Sequence, residues 1–361
     1  MTNPPLLLTP GPLTTHPRVR QAMMRDWGSR DPAFIALTAE LRAGLLAVAN
    51  GAASHVAAPI QGSGTFAVEA ALATLVRPSD RLLALVNGAY GRRIVEIARR
   101  LGRPVEALEV AEDQPIDPAE VARRLESSPA ISHVALVHCE TTTGLLNPLA
   151  EIAAAVERAG RPLILDAMSS FGALPIDLAQ TPIAAVIASS NKGLEGAPGL
   201  GFVLVERGAM EAAEGAAPSL SLDLHDQWRG FESNGQWRFT PPVQVVAALV
   251  EALRLLDEEG GPPARLTRYQ ANLDTLVSGL ARLGYPLYLD RRLQAPIIAT
   301  FRPRPGKPFD FETFYDALAQ RGFVIYPGKL TREPSFRIGC IGQVRPADMQ
   351  RLTTAIAEIS S

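Results

Sequence analysis

The chain predicts an α/β fold, a mostly parallel sheet with helices on both faces, followed by a smaller α+β module. Three observations carry that expectation. From about residue 55 to 206, short apolar runs alternate with helical stretches, the pattern of strands joined by crossover helices. Aromatic residues make up only 6% of the 361 while 47% are hydrophobic, so the core is mostly Ala, Leu, Val and Ile, the palette of buried parallel strands. After about residue 208 the alternation stops. At roughly 100–200 residues per domain the length suggests two domains. We place a large domain at 15–259 and a small C-terminal domain at 260–361 together with 1–14.

The elements follow in order. His55–Gln61 reads as a weak strand and Thr65–Val76 as a helix; Arg81–Val86 is a strand and Tyr90–Leu101 a helix. Val105–Glu109 is a strand, and the helix Asp117–Ser127 opens with an Asp cap and Pro118 at its first position, where a missing N–H costs nothing. His133–His138 is a strand, Leu149–Ala159 a helix, and Arg161–Asp166, Ile183–Ser189 and Gly201–Glu206 are strands. Ser219–Trp237 reads as a polar, tryptophan-containing loop, Val243–Glu259 as a long helix ended by Gly260-Gly-Pro-Pro263, and Ala264–Leu283 as another helix. The C-terminal module reads as strand Ile297–Phe301, helix Phe311–Gln320, strands Phe323–Tyr326 and Phe336–Gly339, and helix Pro346–Ile359.

Charge and cysteine content narrow the function classes. Thirty-five basic against 37 acidic residues give a net charge of −2, which argues against a polybasic face for nucleic acid. Cys139 and Cys340 are too few for a zinc cage or a disulfide framework, and His16, His55, His133, His138 and His225 are scattered without metal-ligand spacing, so we expect no metal site. No apolar run reaches the ~18 residues of a membrane span, and the three leucines near the N-terminus lack a preceding basic region. A cytoplasmic protein is expected. The charged residues of Arg92–Arg100 and Glu120–Glu126 read as solvated helix faces.

Three features bear on chemistry. Gly62-Ser-Gly-Thr-Phe-Ala67 stands between a strand and a helix, as a phosphate cradle, a dinucleotide fingerprint or a plain tight turn. The dinucleotide reading wants an acidic residue at the end of the next strand, and that strand ends in Asn87-Gly88. Asp166 closes an apolar strand, where it would face a ligand or cap the segment that follows. Lys192 also follows a strand, between small residues that leave room for a cofactor. Of the 35 basic residues only Lys192, Lys307 and Lys329 are lysines, so chemistry that needs a primary amine has three candidates. Lys307 lies in a proline-rich loop and Lys329 follows a turn, which favours Lys192. A phosphate cradle, a strand-end carboxylate and a lysine 26 residues later are the parts that pyridoxal phosphate needs: the loop for its phosphate, the aspartate for its ring nitrogen, the lysine for a Schiff base.

Eight segments, in order along nearly the whole chain, carry a resemblance. They are Leu8-Thr-Pro-Gly-Pro-Leu-Thr14, Gln61-Gly-Ser-Gly-Thr65 with Val68-Glu-Ala70, Asn87-Gly-Ala-Tyr-Gly91 and His138-Cys-Glu-Thr-Thr-Thr-Gly144. Further on come Asp166-Ala-Met-Ser-Ser-Phe-Gly172, Ser189-Ser-Asn-Lys192, Trp237-Arg-Phe-Thr-Pro241 and Phe336-Arg-Ile-Gly-Cys-Ile-Gly342. On these the sequence resembles the class V, fold-type I aminotransferases dependent on pyridoxal phosphate, and within them the 2-aminoethylphosphonate–pyruvate transaminases.

The resemblance implies roles residue by residue. Lys192 would bear the cofactor and shuttle a proton, and Asp166 would pair with the pyridine nitrogen. Tyr90 would stack on the ring with Met168 on the opposite face, although each could equally be an ordinary packed side chain. Thr141 would bond the ring hydroxyl, and Ser63, Gly64 and Thr65, with Asn191 nearby, would hold the phosphate. Trp237 and Thr240 match a segment that reaches the phosphate from a neighbouring subunit, implying a homodimer with shared sites. Arg337 would grip the substrate anion, with a surface salt bridge as the bland alternative, and Gly11 would line the same pocket. His138 and Glu140 receive no catalytic role, because a lysine already performs the acid–base step. The reaction so implied is amino transfer from 2-aminoethylphosphonate to pyruvate, giving phosphonoacetaldehyde and L-alanine. A serine/alanine–glyoxylate aminotransferase would use the same cofactor set with a different pocket. A cysteine desulfurase would need a mobile thiol, which neither cysteine offers, and an oxidoreductase would need the missing acidic partner.

Overall fold

The structure, a computed structural model, describes residues 4–330 and 333–360. Strand β1 (Leu6–Leu7) and helices α1 (Pro17–Ala22) and α2 (Pro32–Val48) come first. Then follow β2 (His55–Gln61), α3 (Gly64–Leu75), β3 (Leu82–Val86), α4 (Ala89–Arg100), β4 (Val105–Glu109), α5 (Pro118–Ser127) and β5 (His133–Val137). A small hairpin, β6 (Cys139–Glu140) with β7 (Leu145–Leu146), leads to α6 (Leu149–Arg158), β8 (Leu163–Asp166), β9 (Ala185–Ser189), β10 (Leu200–Glu206) and the short α7 (Arg207–Glu211).

Seven of these strands form one sheet in the order β2-β10-β9-β8-β5-β3-β4. Only β10 runs against its neighbours; the other pairings are parallel. Because β10 is antiparallel to both β2 and β9, those two point the same way, and every parallel strand ends at one edge of the sheet. Side chains alternate across the pleat. Leu83, Leu85, Val134, Leu136 and Val186 pack into a core with α2, α5, α6 and the later helix 243–259, whereas Leu82, Ala84, Ala135, Ile164 and Val203 pack beneath α3 and α4. The sheet is thus covered on both faces, as the sequence predicts.

Beyond it come α8 (Leu224–Asn234), α9 (Val243–Glu259), α10 (Gly261–Arg282), β11 (Ile298–Phe301), α11 (Phe311–Gln320), β12 (Phe323–Val324), β13 (Tyr326–Pro327), β14 (Phe336–Gly339) and α12 (Pro346–Ile359). A second sheet, β11-β14-β13, is antiparallel, and its buried Phe301, Phe336 and Ile338 share a core with α10, α11 and α12. β1 pairs with β12, which attaches the N-terminal residues to this module.

Three expectations are corrected. The segment 219–237 is not all loop: α8 occupies most of it, capped by the Asp223 side chain and ended by Gly235 at φ +74°, with Leu224, Trp228 and Phe231 buried along one face. The Gly-Gly-Pro-Pro segment does not separate two helices by a gap, since α9 ends at Gly260 (φ +105°) and α10 starts at Gly261 with proline in its first turn. The strand Phe323–Tyr326 is two: β12 pairs with β1, β13 with β14, and the fully buried Ile325 lies between them.

Candidate active site

The carboxyl ends of β2, β3, β8 and β9 surround a cavity of about 400 Å³. Its lining brings together Ser63, Gly64, Thr65, Tyr90, Asp166, Met168, Asn191 and Lys192, eight residues separated by up to 129 positions in the sequence. Ligands collect at this edge of open α/β sheets.

Ser63 precedes the first turn of α3, and the N–H groups that open a helix have no intrahelical acceptor. Those N–H groups and the helix dipole favour an anion. Gly64 lets Met168 approach this turn: a Cβ there would lie 2.2 Å from the Met168 sulfur and would push that side chain aside. The Thr65 hydroxyl accepts a hydrogen bond from Arg93 at 3.2 Å.

Asp166 is buried at the end of β8, and its Oδ1 accepts from the Met168 N–H at 2.9 Å. Burial pushes the carboxyl up to about 6, with that N–H pulling the other way. Asp166 makes no ion pair among the described residues, although the charges of Arg93 and Lys192 favour its ionised form.

Lys192 sits in the turn after β9. Burial holds its amine below the usual lysine range; Tyr90 and Asp166 oppose this, and the cations Lys329 and Arg337 reinforce it. A depressed amine spends more time as the free base, the form that attacks a carbonyl. Gly11 lies directly over it: at φ +125°, a Cβ would meet the Asn191 carbonyl and the Lys192 Cδ, each at 2.7 Å. Ser189 donates to the Asn191 side chain at 3.1 Å.

Tyr90 opens α4, whose first N–H groups are held by Glu140. That buried carboxylate accepts from the Tyr90 and Gly91 N–H groups at 3.1 and 3.2 Å, and from the Thr142 hydroxyl at 2.6 Å. Glu140 is therefore an anchor for Tyr90 and for the 140–144 turn. Thr141, buried in that turn, gives its carbonyl to Arg337 at 2.8 Å. Arg337 projects from β14, away from the core that takes Phe336 and Ile338, and its Nε donates to the Pro327 carbonyl at 2.9 Å. Both contacts are to neutral oxygens.

Five nominated residues are not on the cavity lining: Gly11 abuts Lys192, Thr141 and Arg337 bond each other, and Trp237 and Thr240 lie elsewhere. Trp237 packs against Phe231 with ring centroids 5.2 Å apart and donates to Thr38 at 3.1 Å, and Thr240 is exposed. His138 bonds Ser170 at 3.0 Å and is pushed down to about 4 by burial. Burial pushes the Cys139 and Cys340 thiols up to about 12, which is unsuited to nucleophilic sulfur. Asp223, His225 and Asp226 lie close together at the start of α8, where Asp223 caps the helix and Asp226 pairs with Arg238 at 3.1 Å.

Sequence reasoning missed Arg93, which reaches Thr65 and lies 4.9 Å from the Tyr90 ring. Its signal was the helical spacing, three residues after Tyr90 on α4. Lys329, set aside because it follows a turn, donates to the Tyr90 hydroxyl at 3.1 Å.

The family model for aminotransferase class V matches residues 22–346. The chain belongs to the class-V aminotransferases. A 2-aminoethylphosphonate–pyruvate transaminase of Pseudomonas putida (strain GB-1) is 54% identical over 359 residues, 99% of this chain and 98% of that one. One from Pseudomonas aeruginosa is 53% identical over 98% of this chain and 95% of that one. Among solved structures, an alanine–glyoxylate aminotransferase from Nostoc superposes with a TM-score of 0.93 at 28% identity, covering 100% of this chain and 96% of that one. A pyridoxamine–pyruvate aminotransferase from Mesorhizobium loti gives 0.90 at 27%, covering 100% and 94%.

The cofactor of this aminotransferase is pyridoxal phosphate, and the cavity fits it. It offers an anion-favouring helix start, a buried carboxyl without an ion-pair partner among the described residues and a depressed amine, all on one lining.

Proposed function

We propose that this aminotransferase moves the amino group of 2-aminoethylphosphonate to pyruvate, giving phosphonoacetaldehyde and L-alanine. The observation that carries the reading is the 54% identity over 99% of the chain to a transaminase of that name, joined to a cavity lined by Lys192 and Arg93, with Lys329 bonded to the lining Tyr90.

The residues divide the work by position. Pyridoxal phosphate, when bound, supplies the carbonyl that takes up the amino group and a ring that withdraws electrons from the reacting carbon. Ser63, Gly64 and Thr65 would hold its phosphate through the opening of α3, with Asn191 beside them. Asp166 would keep the ring nitrogen protonated; a cation there would also restore the carboxylate to its charged form. Tyr90 and Met168 would cover the two faces of the ring and limit water, and Thr141 would orient the ring hydroxyl. The Lys192 amine would carry the proton from the donor's reacting carbon to the cofactor and return it in the second half-reaction. Arg337 would hold the phosphonate in one half and the pyruvate carboxylate in the other, beside Gly11, where only a glycine clears Lys192.

Trp237 and Thr240 act, in our reading, on the neighbouring subunit of a homodimer, since Thr240 faces outward from its own fold. We also propose a cytoplasmic location, and the domain division at 15–259 and 260–361 with 1–14. Among the described residues no helix is long and apolar enough to cross a membrane.

The test is a donor panel with pyruvate: 2-aminoethylphosphonate, L-alanine, L-serine and β-alanine, each followed by product formation. We expect 2-aminoethylphosphonate to give the highest kcat/KM. Preference for serine, with glyoxylate replacing pyruvate as the better acceptor, would move the enzyme to the serine/alanine–glyoxylate class.

A further inference from the structure

Two cations beside the cavity, Arg337 and Lys329, like Arg93 on its lining, have no carboxylate partner among the described residues. Arg337 gives its Nε and Nη1 to the carbonyls of Pro327 and Thr141, and Lys329 gives its amine to the Tyr90 hydroxyl at 3.1 Å. A neutral acceptor orients a cation without cancelling its charge. Elsewhere many arginines of this arginine-rich chain are matched, as in Arg18–Glu258, Arg254–Glu40 and Arg268–Glu195.

Arg337 and Lys329 come from one antiparallel pairing. Tyr326 of β13 stands opposite Arg337 of β14, and Lys329 follows β13 by two residues. Lys329 also lies 4.8 Å from the centre of the Tyr90 ring, and Tyr90 lines the cavity that holds Lys192. The field of the pair reaches that far, since both cations help to depress the Lys192 amine. The Tyr90 hydroxyl is itself below the usual tyrosine range: burial raises it, and Lys329 leads the effects that outweigh burial.

A single guanidinium matches a carboxylate. A phosphonate has three acceptor oxygens and, like a phosphate monoester, approaches two negative charges near neutral pH. We propose that Lys329 is a specificity-determining residue, forming with Arg337 a two-cation subsite that selects a phosphonate donor over a carboxylate one. An ammonium has three N–H donors, of which the Tyr90 contact uses one, so Lys329 can serve the anion without releasing the phenol. The inference rests on the reading of 2-aminoethylphosphonate as donor.

The experiment compares the pyridoxal-phosphate holoenzyme with its Lys329→Gln and Lys329→Arg variants. Each is mixed rapidly with 2-aminoethylphosphonate or with L-alanine, and conversion of the cofactor absorbance is followed through a single half-reaction. For Lys329→Gln we expect the half-saturating concentration of 2-aminoethylphosphonate to rise by about tenfold or more, the range of a charge-assisted hydrogen bond. The value for L-alanine should change much less, and Lys329→Arg should recover most of the lost preference. An equal change for both donors, or none, overturns the subsite. A parent enzyme that converts with L-alanine but not with 2-aminoethylphosphonate overturns the donor assignment itself, and the subsite with it.

Discussion

Asp166 carries the most consequential charge of the cavity, because burial has made its ionised form expensive while none of the described residues forms an ion pair with it. Its carboxyl is raised from 3.8 to about 6, so between those values the folded protein keeps a proton that the unfolded chain has lost. Stability of the cofactor-free protein therefore falls as pH rises through that window, by about 3 kcal/mol from this residue. His138, lowered to about 4 by burial, acts in the opposite sense over much of the same range. Comparing the cofactor-free parent with Asp166→Asn removes the His138 contribution, since both proteins share it. Denaturant titrations from pH 4 to 7 should show the Asn variant gaining on the parent as pH rises, and a constant gap would contradict the burial argument. The same substitution should cost the holoenzyme several kcal/mol in activation free energy, on the order of losing a key electrostatic partner. At this scale much was legible. Three lysines made Lys192 a short inference, and a carboxylate at a strand end drew attention to Asp166. Arg93 and Lys329 were harder, because each reaches the site through a partner, Thr65 or Tyr90, that only the fold brings near.

Elements put the chemistry in one place. Six strands end at the same edge, and five of them lead to Ser63–Thr65 (β2), Tyr90 (β3), Thr141 (β5), Asp166 at the end of β8, and Lys192 (β9). The alternation of apolar runs and helices was enough to predict those strands, β2 to the residue and β3, β5, β8 and β9 to within two residues at one end, because the buried strands are nearly all Leu, Val, Ile and Ala. It failed where burial does not follow composition. Helix α8 reads as loop because His225 and Gln227 share its buried side with Leu224, Trp228 and Phe231. Strands β12 and β13 read as one because nothing local says that two residues turn to β1 and the next two to β14. The role of Glu140 was also hidden: it holds two N–H groups of α4 that stand about 50 positions upstream, a contact with no periodic signature.

At the scale of the whole molecule, a buried network joins the lysine turn to the C-terminal module. Glu195, two residues after Gly193, takes bonds from Arg268 at 2.8 Å, from the Tyr269 hydroxyl and from Gln343, while Arg265 donates to the Gly193 carbonyl at 2.9 Å. The module that carries Arg337 and Lys329 is thereby tied to the segment that carries Lys192. The outer face shows what a single chain leaves bare: Phe66, beside the cavity mouth, is 51% exposed and Phe239, next to Thr240, 45%. A homodimer with shared sites would cover such residues. Mixing inactive Lys192→Ala chains with Thr240→Ala chains should then restore partial activity, since one site of each hybrid receives both intact groups. Hybrids no more active than the Thr240→Ala protein alone would place Thr240 outside the chemistry.

The central claim is that the cavity at the strand edge holds pyridoxal phosphate on Lys192. Borohydride reduction of the holoenzyme, followed by proteolysis and mass spectrometry of the pyridoxyl peptide, tests it most directly. We predict the label on the peptide containing Ser189-Ser-Asn-Lys192 and its loss in Lys192→Ala; a label on Lys329 or Lys307 in the parent protein would contradict the account.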